Sequence, residues 1–179
     1  IEPMNKQQAE NAWRMADREG WNPGLDDHNI LPLIDPEGCV AISIDSGDSG
    51  KQMVGCMSFV DWGGYGFIGM YIVEKGFRGK NIGRKLLRHF APKIETLENI
   101  GLDGVQQKVR KYQTFGFHIA YDIGRYRIAP GTVYRKGSAV EFTMDDFTAA
   151  AAYDRTVFGV DRTAFLKNWV NSKYADTAV

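Results

Sequence analysis

The chain has 179 residues, the length of one ordinary domain, and leaves too little chain for two well-developed ones. Apolar residues make up 44% of the chain and charged residues 25%, a balance that is typical of folded globular proteins and argues against long disorder. The 22 basic side chains equal the 22 acidic ones in number, so no net charge attracts nucleic acid or an anionic membrane. Any function of basic groups must therefore be local.

Cysteine usage and hydropathy exclude two further classes of protein. Cys39 and Cys56 do not form a Cys-x-x-Cys pair, so neither a zinc site nor a disulfide framework is indicated, and we expect two buried, reduced thiols and no metal. The longest apolar runs fall far short of the roughly 18 residues of a membrane span. A cytoplasmic location is the simplest interpretation, although the chain begins with Ile1 and a targeting segment ahead of it remains open.

The first third of the chain predicts a helix and a β-hairpin. Residues 6–19 carry apolar side chains at helical spacing and stop at Gly20, before the turn signal Asn22-Pro23-Gly24. Residues 39–44 and 53–60 are strand-like and flank the turn-like residues 46–50. These two strands should pair with each other.

The middle of the chain predicts a buried strand followed by a long helix. Residues 65–73 are almost wholly apolar and β-favouring, which is expected of a central strand covered on both faces. The next helix spans 82–94, and Pro92 should kink it or shorten its last turn. Its apolar face consists of Ile82, Leu86, Leu87, Phe90 and Ile94.

The later elements complete the predicted fold. A short strand at 100–105, a helix at 107–115 that ends at Gly116 and a strand at 117–128 follow in order. This succession predicts an α/β (α+β) fold: a mixed, mostly antiparallel central sheet with helices on both faces. We expect a main domain over 1–130. Residues 131–179 should form an extension with a strand at 132–135 and two helices, Thr143 acting as an N-cap and residues 157–159 as a break.

The loop between the strand ending at Val73 and the helix starting at Ile82 is the strongest candidate for a binding site. Unpaired backbone N–H groups at a helix N-terminus bind anions, and glycines at 79 and 83 let the backbone approach a phosphate. Basic side chains add local positive charge; they are Arg78, Lys80, Arg84 and Lys85. A surface turn with solvated basic residues would look similar. The loop is neither a Walker A motif nor a Gly-x-Gly-x-x-Gly turn, so a phosphate ligand of another class is implied.

Two blocks of sequence resemble the GNAT superfamily of N-acetyltransferases. Residues 68–73 followed by 77–87 are similar to its signature, Arg/Gln-x-x-Gly-x-Gly/Ala after the central strand. Residues 109–117 are similar to its later motif, a tyrosine on a helix that ends in Gly-Phe. The resemblance covers roughly residues 9–127. It implies a GNAT-like fold and transfer of an acetyl group from acetyl-CoA to a primary amine.

The resemblance also implies which residues hold acetyl-CoA. Backbone groups at the strand end would hold the pantetheine arm, at Met70, Ile72 and Val73. The loop would hold the pyrophosphate through Arg78, Gly79, Lys80, Asn81, Ile82, Gly83 and Arg84. Asn81 stands where the family pattern has its first glycine. If that position needs a positive φ, asparagine is the least costly substitute, and cosubstrate binding should be retained.

Tyr112 matches the family's general acid, the hydroxyl that protonates the departing thiolate. A tyrosine that merely packs against the sheet is the alternative. The general base is not identified, because the strand at 65–73 contains no acidic residue. The remaining candidates are a water molecule or one of the side chains Asp26, Asp27, His28, Asp61 and Asp122.

Residues 20–24 and 153–162 are similar to a GNAT subgroup with a second, divergent acetyltransferase-like C-terminal domain. Rival interpretations are a non-catalytic module that binds acetyl-CoA as a sensor or scaffold, and a nucleotide-binding protein of another fold. A nucleic-acid partner is disfavoured, because the basic residues form one loop and not a stripe. The neutral charge favours a small-molecule amine as acceptor, and the oligomeric state is left open.

Overall fold

A computed structural model describes residues 1–124, 126, 129, 131 and 137–178. The strands are β1 Glu2–Pro3, β2 Cys39–Asp45, β3 Lys51–Asp61, β4 Tyr65–Val73 and β5 Asn99–Leu102. The helices are α1 Lys6–Arg18, α2 Asp27–Ile34, α3 Ile82–His89, α4 Ala91–Ile94, α5 Val109–Gln113, α6 Phe147–Phe158 and α7 Thr163–Val170. Short 3₁₀ turns precede α3, α5 and α6, at Lys75–Phe77, Gln106–Lys108 and Met144–Asp146.

The five strands form one mixed sheet in the order β1-β2-β3-β4-β5. The first four pair antiparallel, whereas β5 runs parallel to β4, and that parallel pairing ends where Ile68 faces Leu102. Helix α1 packs with Cys56 and Ile72, and α3 packs with Met57 and other residues in a separate buried cluster. Cys56 and Met57 are neighbours on β3, so their side chains point to opposite faces of the sheet, and α1 and α3 cover opposite faces. The predicted fold class is confirmed.

The most buried strand is β3 and not β4. Residues 54–60 of β3 are all buried, whereas burial alternates irregularly along β4. The prediction that residues 65–73 form the central strand is therefore wrong in position, although its bounds match those of β4. The physical reason is that β5 has only four residues, so beyond Ile68 the outer edge of β4 has no strand neighbour within the described residues.

The helical region after the loop breaks where proline predicts a break. Helix α3 ends at His89, and Pro92 lies in the first turn of α4, where its missing N–H costs no hydrogen bond. Leu86 is completely buried and Phe90 stacks against Phe59 of β3 with ring centroids 5.4 Å apart. These contacts hold α3 against β3.

The elements after β5 agree only in part with the sequence-based expectation. Gly116 has φ +92° and ends the helical segment, and the Phe117 N–H donates to the Tyr112 carbonyl at 3.2 Å. The strand expected at 117–128 is wrong over 117–124, which form no regular structure, while 125, 127 and 128 lie outside the described residues. An alternating apolar pattern favours an extended chain, but a strand also needs a hydrogen-bonding partner. Ile119 and Tyr121 are instead 63% and 73% exposed.

The C-terminal helices pack back onto the first part of the chain. Thr143 is the N-cap, as expected, and its N–H donates to Asp146 Oδ2 at 2.9 Å, while Gly159 ends α6 with φ +88°. Helix α7 packs against α2, and the Ser172 hydroxyl donates to Asp26 Oδ2 at 2.8 Å. The strand expected at 132–135 lies outside the described residues, and the boundary at 130/131 stays a prediction. No helix in the described ranges is long and apolar enough to cross a bilayer.

Candidate active site

Strand β4 carries a bulge where the site begins. Cys56 pairs with Ile72 and Ser58 pairs with Gly69, so Met70 and Tyr71 face only one residue of β3. Met70 has φ +47°, a left-handed conformation that costs a non-glycine residue about 1–3 kcal/mol. The Cys56 thiol lies 3.2 Å from the Met70 carbonyl oxygen and donates to it. The pairing with β5 ends just before this bulge, so the two strands part there.

A cleft of about 330 Å³ opens at the point where β4 and β5 part. Its walls are the second half of β4, the loop before α3, the first turn of α3 and the segment from β5 to α5. Of the residues predicted to hold acetyl-CoA or to act as the acid, all except Lys80 line this cleft: Met70, Ile72, Val73, Arg78, Gly79, Asn81, Ile82, Gly83, Arg84 and Tyr112. The Lys80 ammonium lies 5.1 Å from the centre of the Phe77 ring instead. The roles of these residues stay predictions.

The first turn of α3 offers backbone donors to an anion. Asn81 is the N-cap with φ +61°, and its side chain makes no capping hydrogen bond. The expectation that asparagine tolerates a positive φ here is therefore confirmed. The first backbone bond of the helix runs from the Lys85 N–H to the Asn81 carbonyl at 3.1 Å. The earlier N–H groups of the turn have no helical acceptor and can bind a phosphate.

Gly83 and Tyr71 form a close contact beside this turn. A Cβ on Gly83 would lie 2.8 Å from the Tyr71 hydroxyl. That hydroxyl is buried and has no hydrogen-bond partner among the residues that the structure describes, and burial raises the pKa of Tyr71 to about 12. A glycine that lets the backbone come close and an orphaned hydroxyl next to free N–H groups both fit a phosphate-bearing cosubstrate such as acetyl-CoA.

Substitutions at this contact test its geometry. We expect Gly83→Ala to lower the free energy of unfolding by about 1–2 kcal/mol, because the new methyl group overlaps the Tyr71 hydroxyl. Tyr71→Phe should leave the free energy of unfolding unchanged or raise it, because it removes a buried hydroxyl that has no hydrogen-bond partner among the described residues. The double variant should recover about 1 kcal/mol relative to the sum of the single changes, measured by urea unfolding. Strict additivity would show that the two groups do not touch.

Arg78 connects the cleft to α1. Its Nε donates to the Val73 carbonyl at 2.8 Å and its guanidinium pairs with Glu19 at 2.7 Å. Arg18 forms a second ion pair between these elements, with Glu74. Both arginines therefore hold the end of α1 against the end of β4, so the Arg78 side chain is engaged by protein groups.

Tyr112 lies on α5 with its ring against Phe117, at a centroid distance of 6.1 Å. Its hydroxyl makes no hydrogen bond to any described residue. Burial raises the pKa of Tyr112 above its ordinary value. The phenol is therefore protonated at neutral pH and can act as a proton donor, as the expected acid requires.

None of the side chains named from the sequence as possible bases lines the cleft: Asp26, Asp27, His28, Asp61 and Asp122. The three aspartates Asp26, Asp27 and Asp61 accept hydrogen bonds within their own turns. His28 lies at a smaller pocket of about 20 Å³ between α1 and α2, with its ring 6.2 Å from that of Trp13. Asp122 is exposed, on a segment without regular structure. The structure does not bring these groups to the cleft.

Sequence reasoning missed two carboxylates of the cleft, Glu19 and Asp103. Asp103 directly follows β5, which is parallel to β4. The carboxyl ends of neighbouring parallel strands meet at one edge of a sheet, so this position could have been found from the order of the elements. It was missed because residues 100–105 were all assigned to the strand. Across the described part of the chain, no group of three or more His, Cys, Asp or Glu residues could hold a metal ion.

Comparisons with known proteins agree with this architecture. Residues 36–119 match the family model described as an acetyltransferase (GNAT) domain. A holothin acyltransferase of Pseudoalteromonas is 27% identical over 95% of this chain and 56% of its own length, and the uncharacterized N-acetyltransferase YitH of Bacillus subtilis is 24% identical over 89% and 56%. This chain thus spans little more than half the length of these relatives.

Solved structures share the fold at low sequence identity. An acetyltransferase-like protein of Pyrococcus horikoshii has a TM-score of 0.74 and 20% identity, over 93% of this chain and 59% of that one. Ard1 from Thermoplasma volcanium has a TM-score of 0.56 and 17% identity, over 68% and 82%. The segment that matches the acetyltransferase (GNAT) family model, residues 36–119, includes the bulged strand and the helix that starts at the glycine loop.

Proposed function

We propose that this protein transfers an acetyl group from acetyl-CoA to a primary amine, most simply that of a small molecule. The observation that carries the proposal is the cleft at the parting of β4 and β5. It combines a helix start with available backbone N–H groups, a strand edge without a strand neighbour among the described residues and a protonated tyrosine within one space of about 330 Å³. The family match supports the same reaction class.

Each wall of the cleft would hold a different part of the cosubstrate. The first-turn N–H groups of α3, with Gly79 and Gly83, would hold the pyrophosphate. Met70 and Tyr71 lie in the bulge, and Ile72 and Val73 pair only with β3 within the described chain, so the outer edge of this stretch can bind the amides of the pantetheine arm. Bound acetyl-CoA supplies an activated acyl group. Tyr112 would donate a proton to the sulfur as that group leaves.

The proposed acceptor is the primary amine of a small molecule. The absence of net charge favours a small amine over a nucleic-acid-bound target.

Membership of the GNAT subgroup with a second acetyltransferase-like domain stays a prediction. The described residues 137–178 form α6, α7 and one isolated bridge between Glu141 and Ala178.

The first test measures binding and turnover separately. Isothermal titration with acetyl-CoA should give a micromolar dissociation constant, and thiol release should depend on an added amine such as spermidine, glucosamine or an amino acid. Propionyl-CoA belongs in the same panel, since one relative is named only as an acyltransferase. Binding without release for any amine would favour the sensor alternative. Preference for ATP or NAD over coenzyme A would contradict the proposal.

A matched pair of glycine variants tests the binding loop. Gly79 and Gly47 both have positive φ, at +81° and +66°, and a Cβ on either would meet nothing within 4 Å. We expect Gly79→Asp to weaken acetyl-CoA binding about tenfold or more, because its carboxylate would repel the phosphates. Gly47→Asp should leave the dissociation constant unchanged. Equal constants for both variants would place the pyrophosphate elsewhere.

A further inference from the structure

Asp103 lies level with the bulge of β4, on the opposite side of the cleft. Its predecessor Leu102 is the last residue of β5 that pairs with β4, and its partner there is Ile68. The next residues of β4 are Gly69 and Met70, which begin the bulge. Since parallel strands advance together, Asp103 stands across from the point where β4 turns away, and it lines the cleft.

The same segment packs against the expected acid. A Cβ on Gly104 would lie 3.2 Å from Cδ2 of the Tyr112 ring, so the backbone that follows Asp103 is in contact with that ring. Asp103 and Tyr112 therefore border the same part of the cleft, although they come from different elements.

Asp103 is the carboxylate of the cleft that has no assigned partner. Of the two acidic residues that line the cleft, Glu19 is paired with Arg78 at 2.7 Å. Asp103 is exposed and forms neither an ion pair nor a hydrogen bond with the described residues. A cation that enters the cleft can therefore reach its carboxylate.

The other ionisable groups at this end of the cleft are Tyr71, Lys108, Lys111 and Tyr112. Tyr65, on β4, has a raised pKa. Burial is the largest cause, and Tyr121 and Asp103 make smaller contributions. Among the described residues that line the cleft, Asp103 is the only carboxylate without an ion-pair partner.

We propose that Asp103 binds the ammonium group of the acceptor and accepts its proton during acyl transfer. This inference rests on the proposed function and names the class of acceptor: an aliphatic primary amine that is cationic at neutral pH. The ammonium first gives one proton to the Asp103 carboxylate, which frees the lone pair of the nitrogen. As the N–C bond to the acyl carbon forms and the C–S bond breaks, Tyr112 supplies a proton to the leaving sulfur and the nitrogen loses its second proton to solvent. Asp103 then releases its proton to solvent and Tyr112 regains one from it, so the net products are the amide, the thiol and one proton.

The test compares Asp103→Asn with the wild type and with Asp48→Asn, an exposed aspartate in the turn between β2 and β3. With spermidine as acceptor at pH 7.5, we expect Asp103→Asn to lower kcat/KM about 100-fold. The dissociation constant of acetyl-CoA should stay within twofold, and Asp48→Asn should match the wild type in both. Spermidine should also bind the CoA-loaded Asp103→Asn protein at least tenfold more weakly, measured by titration calorimetry.

Two further readouts separate this role from a structural one. The deficit of Asp103→Asn should shrink as the pH approaches the pKa of the amine, because the free base no longer needs the carboxylate. Aniline is uncharged at neutral pH, so Asp103→Asn should lower its rate of acetylation less than that of spermidine. Asp103→Glu should recover part of the rate.

The outcomes are distinguishable. A wild-type protein that acetylates none of the amines contradicts the proposed function, and the inference falls with it. An active wild type with an Asp103→Asn rate within threefold, or a deficit that does not change with pH, overturns the inference alone. A parallel loss of acetyl-CoA binding would make Asp103 a cosubstrate contact and would also overturn it.

Discussion

Replacing Tyr112 by phenylalanine is expected to lower kcat of acyl transfer about 100-fold while acetyl-CoA binding stays within twofold. The change removes only the hydroxyl, which makes no hydrogen bond to the described residues, so packing against Phe117 should persist. A positioned general acid contributes roughly 10²–10⁴-fold to a rate. Steady-state thiol release, with calorimetry for the dissociation constant, measures both quantities.

The pH dependence gives the same test a sign. Because burial raises the pKa of Tyr112, its proton-donating form is present throughout the neutral range. The rate that depends on it should fall only above the ordinary tyrosine pKa of about 10. Tyr153→Phe is the control, since that side chain is 72% exposed on α6. Equal rates for wild type and Tyr112→Phe would return Tyr112 to a packing role.

Truncating Leu86 to alanine is expected to cost the largest stability of any change considered, about 2–5 kcal/mol. Leu86 is fully buried in the cluster that joins α3 to the sheet. Its removal leaves a cavity between α3 and β3, and the loop that starts α3 loses its support. Urea unfolding followed by circular dichroism measures the loss directly.

Leu87 provides the matched control for this prediction. It is the next residue of the same helix but only half-buried at the edge of that cluster. We therefore expect Leu87→Ala to cost clearly less than Leu86→Ala, about 1 kcal/mol by the area it buries. Similar losses for the two variants would mean that Leu86 does not anchor α3.

Local signals predicted many of the elements. The apolar run at 65–73 matches β4, Pro92 marks the division between α3 and α4, and Gly159 ends α6 where a break was expected. Each of these signals acts within a few residues, through backbone conformation or a missing donor. The strand expected at 117–128 failed over 117–124 because a strand depends on a partner, which local pattern does not specify.

The sequence by itself determined that a loop with glycines leads into the helix at Ile82 and that Asn81 tolerates a left-handed conformation there, because glycine, asparagine and a helix start act locally. Only the tertiary structure decided that β3 is the most buried strand and that the candidate bases lie away from the cleft. It also placed Asp103 beside Tyr112 and level with Met70. Strand register and the bulge in β4 set those positions, and both depend on pairing between residues that are far apart along the chain.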